Sequence, residues 1–478
     1  MPEETNLPAT AAHAAQTTEA APVAVDSTVT KEENEAAEQA DNKRKRSNRA
    51  KTGKDRREFA KARAVARKEA DESQPPSLSE SRTEPRLPKR KVALMIGYCG
   101  SGYQGMQVNP GAHTIEGELF KALCGAGAVS EENSVDQQKI QLQRAARTDK
   151  GVHAAGQVVS AKLIIEDPDV IQKINQGLPD QIRLWGFVKA NRSFNAKTAC
   201  DSRVYEYMLP TYLFLEPAEK NKEIARTVEF MDRQVPVSTA EEMRKKREYR
   251  APQETLEFVR SAFARYKGTH DYRNFTVTRG CTENNSKRYI HWFEVSEPMV
   301  IRDAEWLSLK VKGQSFMLHQ IRKMVGLIVL MARAGAPLDL IDTLFSGPRV
   351  NVPKAPGLGL LLEQPVFDGY NKRAAAGKTT APTDPIDFAP FAKEMDEFKQ
   401  RFIYDRIIQT EMEEATFDDW AAGTEVFPEQ YLYINPEGTI PESTIVIPGQ
   451  ERSFPRRPAA TTEATSTADS DEEGHSDS

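Results

Sequence analysis

The chain has 478 residues, room for two domains with extensions, and its formal net charge of −5 conceals a segregated pattern. Residues 1–40 hold eight acids against one Lys, 41–70 hold thirteen Lys and Arg against four acids, and the last twenty hold six acids and no Lys or Arg, which leaves 71–458 at −1. The four Cys show no paired spacing, which argues against a disulfide framework or a closed zinc site, and no run nears the ~20 apolar residues that cross a bilayer.

The first residues, MPEETNLPAT, resemble neither a signal peptide nor a basic transit peptide, so an intracellular protein is expected. Residues 1–85 are nearly empty of large apolar side chains and are expected to be disordered, as is the acidic tail 451–478. The dense basic run 43–68 reads as a solvated tail, a phosphate-binding arm or a nuclear import signal; the import reading implies a nuclear protein and an import receptor as partner.

Order is expected from Lys91. A strand at KVALMIGYCG leads to a helix capped by Thr114. A strand at KIQLQRAAR, a turn at Thr148-Asp149-Lys150-Gly151 and a strand at GQVVSAKLII come next, then a helix at PDVIQKINQGL and a strand at IRLWGFVKA. This β-α-β-β-α-β order fits a ferredoxin-like unit over 90–201. A comparable unit is expected over 202–370: strand SRVYEYMLP, a charged insertion at 216–252, an amphipathic helix at TLEFVRSAFARYKG, two alternating strands, and a long helix from Ser315 to Gly335. The predicted fold is α+β, two ferredoxin-like halves sharing a mostly antiparallel sheet. A C-terminal extension over 371–450 carries Phe391, Met395, Phe398 and Phe402 at helical spacing near 391–414, which calls for packing onto the core.

Three features could carry chemistry. Asp149 sits on a tight turn between strands with a cation on either side, where an ordinary turn Asp satisfied by its own backbone is the simpler reading. Arg322 lies on a helix apolar on nearly every face; it is either a buried Arg needing a fixed carboxylate or a surface Arg beside His319 and Lys323. Tyr205 shares a strand face with Tyr207, a packing position that could also stack a nucleobase. His153 follows the turn without clustered ligands and reads as structural. No P-loop, H-E-x-x-H, G-x-G-x-x-G or Ser-His-Asp order is present, so metal, nucleotide and nicotinamide chemistry lose support and a lone carboxylate remains.

RAARTDKGVHAAGQVV resembles the catalytic motif of the TruA-type transfer-RNA pseudouridine synthases. YCGSGYQGMQ resembles the family's opening strand motif, and SFNAKTACDSRVYEY, GTHDYRNF, GQSFMLHQIRKMVG and APGLGLLL resemble later landmarks in order, so the likeness covers about 90–370. Gly105-Met106-Gln107, where bacterial members carry a Trp in the middle, together with the long extensions, looks like the eukaryotic multisite branch; Ala146 replaces the usual Gly before Arg147.

The resemblance implies the pseudouridine synthase fold and isomerisation of uridine to pseudouridine in tRNA, around the anticodon stem and loop, with other RNAs such as snRNA or mRNA as further substrates. Asp149 would start glycosidic cleavage, with attack on base or sugar left open. Tyr205 would stack on the uracil and assist proton removal, Arg322 would pair with Asp149, and Arg147 would fill the gap left by a flipped base. Lys150, Arg273, Arg279, Lys287, Arg288 and Lys312 are candidate RNA contacts. An isomerisation calls for no cofactor, and a monomer is expected because the insertion would block the dimerisation of bacterial members. The alternatives are a catalytically silent RNA-binding chaperone of the same fold and a family branch acting on another tRNA region.

Overall fold

The computed structural model describes residues 87–278, 283–377 and 383–447. The terminal segments expected to be disordered, the basic run 43–68 and Arg279 lie outside the described residues. Strand β1 (Lys89–Tyr98) is buried from Lys91 onward because it runs between β3 (His153–Ile164) and β4 (Ile182–Lys189). Helix α1 (Ile115–Gly125) starts where the sequence places its cap: Thr114 Oγ1 accepts the Gly117 N–H at 3.2 Å. Helix α2 (Val170–Gly177) follows β3.

The strand expected over 139–147 is largely absent. Asp136 caps a 3-10 turn at Gln137–Ile140, Gln141 takes a left-handed φ of 53°, and only Gln143–Arg144 (β2) pairs with β3. The carboxylate's bond to the Gln138 N–H competes with extended pairing, which alternation alone does not reveal.

The second half opens with β5 (Ser202–Pro210). The insertion folds as α3 (Glu219–Thr227) and α4 (Ala240–Glu248), the latter begun by a Thr239/Glu242 capping box. Then come α5 (Gln253–Ala264), β6 (Gly268–Asp271), β7 (Lys287–Val295), β8 (Met299–Ile301), β9 (Ala304–Gly313), α6 (Gln320–Ala334) and β10 (Leu360–Val366). One sheet runs β4-β1-β3-β10-β5-β9-β7-β6, with β2 on β3 and β8 on β9. Among the described residues the pairings are antiparallel except at the seam, where β10 runs parallel to β3 with Leu361 opposite His153 and Leu362 opposite Ala154. The protein thus has a mixed helix and sheet fold with a large, mostly antiparallel sheet. Two apolar cores form, one within the first half apart from Leu362 and a larger one that spans both halves and the extension, and Tyr205 packs against both.

The long helix differs from expectation at its start. It begins at Gln320, not Ser315, because Phe316 folds back onto Tyr205, ring centroids 5.3 Å apart, and the chain reaches the helix through His319 at a left-handed φ of 60°. Its end is as predicted, with Gly335 left-handed at φ 63°.

In the extension, α7 (Ala392–Phe398) continues through a π-helical stretch at Lys399–Tyr404 into α8 (Asp405–Glu414), and Ala415 at φ 49° turns the chain into α9 (Thr416–Val426). The aromatic spacing packs on the sheet as its period demands: Phe398 lies edge-on to Trp185, and Phe391 covers Gly186. The π stretch lets Lys399 and Tyr404 both reach the buried Glu206 of β5, at 3.0 and 2.8 Å, and Lys399 also holds Glu363 at 2.8 Å. Burial works against the Glu206 charge, yet Lys399, Ser308, Lys310 and Tyr404 outweigh it and hold its pKa below the usual carboxylate range.

Candidate active site

The Thr148–Gly151 sequence makes the turn its residues ask for. Val152 N–H donates to Asp149 C=O at 3.2 Å, and Gly151 supplies the positive φ of 75° that this turn needs. The opening loop then pins it. Tyr98 and Thr148 share a hydroxyl hydrogen bond at 2.8 Å, Met106 N–H donates to Thr148 C=O at 3.2 Å, and Gly151 N–H donates to Tyr103 C=O at 3.4 Å. Gly105 can approach because it has no side chain: a Cβ there would lie 3.1 Å from Thr148 O.

Behind the turn, the buried Gln157 holds Ala146 on both sides, accepting its N–H at 3.1 Å and donating to its C=O at 2.9 Å. A side-chain amide thus replaces the strand partner that Ala146 lacks. His153 is structural, as read from sequence: its Nδ1 accepts the Gly100 N–H at 3.1 Å, and burial, reinforced by the Arg406 cation, pushes its pKa down to about 4.

On this platform the Asp149 side chain is 49% exposed and its Oδ2 lies 3.8 Å from Nε2 of His319, whose side chain is only 6% exposed. Tyr205 lies close enough to feel the same carboxylate. Burial raises its phenol pKa well above the ordinary value, Arg203 opposes that, and Tyr98 and Asp149 add to it, so the phenol stays protonated at neutral pH. Arg203 itself ties the two halves, donating to Ala145 C=O at 2.8 Å and Gln314 C=O at 3.1 Å.

The structure therefore brings Asp149, Tyr205 and His319 together, with Arg147 and Lys150 exposed on the same turn. Arg322 is half-buried one turn into α6. Its Nε donates to Ala355 C=O at 2.8 Å, and its guanidinium lies beside Gly357, with no carboxylate in ion-pair range among the described residues. The expected ion pair with Asp149 is thus replaced by a backbone anchor.

Among the RNA-contact candidates, Arg273 is engaged by Asp271 at 3.5 Å and by Ser346 C=O at 3.3 Å. Arg288 donates to the carbonyls of Asn285 and Lys287, both at 2.8 Å, while Lys287 is exposed at the start of β7. Lys312 stands opposite Val204 in the register, on the sheet face away from Tyr205. The sequence reading passed over His319 and Gln157. His319 does sit three residues before Arg322, but its left-handed backbone and its partner 170 positions away leave no local signal.

A carboxylate on a pinned turn at the seam of two α/β halves, beside a half-buried Tyr and facing a helix entry, defines a cleft enzyme built on one shared sheet. Residues 262–368 match the tRNA pseudouridine synthase family. The chain is 42% identical over 426 residues to tRNA pseudouridine synthase 1 of Kluyveromyces lactis, covering 78% of this chain and 75% of that one. It is 35% identical over 491 residues to tRNA pseudouridine synthase 1 of Schizosaccharomyces pombe, 78% and 91% covered. It is 41% identical over 338 residues to the pseudouridylate synthase 1 homolog of Mus musculus, 70% and 74% covered. The chain belongs to the tRNA pseudouridine synthase family, among its eukaryotic members, and is an RNA pseudouridine synthase, an isomerase.

Proposed function

We propose that this protein converts uridine to pseudouridine in tRNA, in the anticodon stem and loop region and in other RNAs such as snRNA or mRNA, with Asp149 as the nucleophile. The observation that carries the reading is the exposed Asp149 carboxylate held on a hydrogen-bonded turn beside His319 and Tyr205. In the reaction the N1–C1′ bond breaks, the uracil turns, a C5–C1′ bond forms and the C5 proton leaves while N1 gains one, so no net redox change or cofactor enters.

Asp149 starts the cleavage. Tyr205 stacks on the uracil; because its phenol is protonated, it can accept the C5 proton only by releasing its own in the same step. Arg322 is assigned to pair with Asp149 in the RNA complex, and Arg147 and Lys150 grip the strand from which the base is flipped. The repeated strand orders β4-β1-β3-β2 and β10-β5-β9-β7 support reading the halves as ferredoxin-like. The run 43–68 serves nuclear import, and the enzyme works as a monomer in the nucleus.

The test is Asp149→Ala: pseudouridine formation in a tRNA transcript is expected to fall to background with RNA affinity within a few-fold of wild type. Retained turnover would reject the nucleophile.

A further inference from the structure

The insertion and the C-terminal extension meet around a cavity of about 280 Å³. Phe230 of the insertion and Trp420, Phe427 and Tyr431 of the extension line it, with Lys354 at one wall. The rings are held before any ligand arrives: Phe230 and Phe427 pack edge-on with centroids 5.0 Å apart, and the Arg233 guanidinium lies 5.5 Å over Phe230. The volume approaches the lower end of small-molecule sites, roughly 300 Å³.

Lys354 ties this cavity to α6. Its neighbour Ala355 donates its N–H to Arg322 C=O at 3.1 Å and accepts from Arg322 Nε at 2.8 Å, so the segment forming one wall also anchors the helix carrying Arg322. Lys354 is the one cationic side chain of the lining, and Arg233, over Phe230, is itself paired with Glu429. Rings that can stack beside a single lysine together fit one ligand chemistry, a base with its phosphate.

We propose that this cavity is a second RNA subsite, in which a nucleotide other than the reacting uridine stacks on Trp420 and Phe230 while Lys354 holds the adjoining phosphate. The proposal rests on the RNA-modifying reading above. It assigns to the insertion and the extension, which lie outside the catalytic turn, a share of substrate recognition.

The experiment measures the full chain on a tRNA transcript that the wild type modifies, with KM and kcat by pseudouridine formation and Kd from a labelled transcript. Trp420→Ala and Lys354→Gln are each expected to raise KM and Kd roughly ten-fold with kcat within two-fold, as loss of one stacked base or one phosphate contact should. Trp420→Phe is expected to restore binding, and Lys354→Gln to lower the log–log salt slope by about one. Unchanged KM and Kd in both variants, or a loss confined to kcat, overturns the subsite. Should Trp420→Ala fail to fold, Lys354→Gln decides alone. Asp149→Ala separates the readings, since turnover without Asp149 rejects the mechanism and leaves the binding result standing.

Discussion

Asp149 stands on a turn that its neighbours pin by hydrogen bonds. Gln157 is the least visible contributor, because nothing in QVVS marks it as the amide that replaces a strand. Gln157→Leu would leave the Ala146 N–H and C=O without partners in a buried place, so a loss of about 3 kcal/mol is expected in chemical denaturation, with turnover falling alongside. His319 makes a sharper case. Gln keeps a donor where Nε2 stands and Leu does not, so His319→Gln should hold kcat within about ten-fold while His319→Leu loses about 100-fold with KM little changed. Equal activity in the two would reduce His319 to packing. The Thr-Asp-Lys-Gly turn was legible because its residues dictate local geometry. The Arg322 anchor was not, because a carbonyl acceptor carries no signature in the side-chain alphabet.

Among the elements, the helices of the extension show how a buried charge commits a segment to one seat. Lys399 lies between Glu206 and Glu363, and those carboxylates raise its pKa against the desolvation that would lower it. Lys399→Met should cost about 3–5 kcal/mol by stranding Glu206, and adding Glu206→Gln should recover part of that loss in a double-mutant cycle. Sequence periodicity placed the helix near 391–414 and its aromatic face correctly. It could not foresee the π stretch, which depends on both Lys399 and Tyr404 reaching Glu206. The strand expected over 139–147 failed for the converse reason: alternation was present, but the Asp136 cap and the left-handed Gln141 claimed the backbone first.

Across the whole molecule, two buried groups set opposing pH dependences. His153, at about 4 in the fold against an ordinary 6.5, binds its proton more readily when unfolded, so stability rises with pH from about 4 to 6.5. Glu411 is pushed up to about 7 by burial, against the bonds from Phe417 and Tyr212 that lower it and with the Asp418 charge reinforcing the rise. It holds its proton more tightly when folded, so stability falls as pH rises from about 4.5 to 7. Each is worth about 3 kcal/mol, and between pH 4.5 and 6.5 they nearly cancel. His153→Asn should therefore lose stability relative to the parent as pH climbs through that window, and Glu411→Gln should gain it, both read from thermal unfolding across pH. Parallel curves for all three proteins would refute the assignment.

The seam between the halves joins His153 to Leu361, roughly two hundred positions later in the chain. A ribosome that has delivered the Asp149 turn has therefore made only an unsupported edge, whose neighbour must still be synthesised, folded through the whole second half and returned. Nascent chains and premature-stop products ending before β10 accordingly carry the Asp149 turn without the strand that joins the two halves of the sheet.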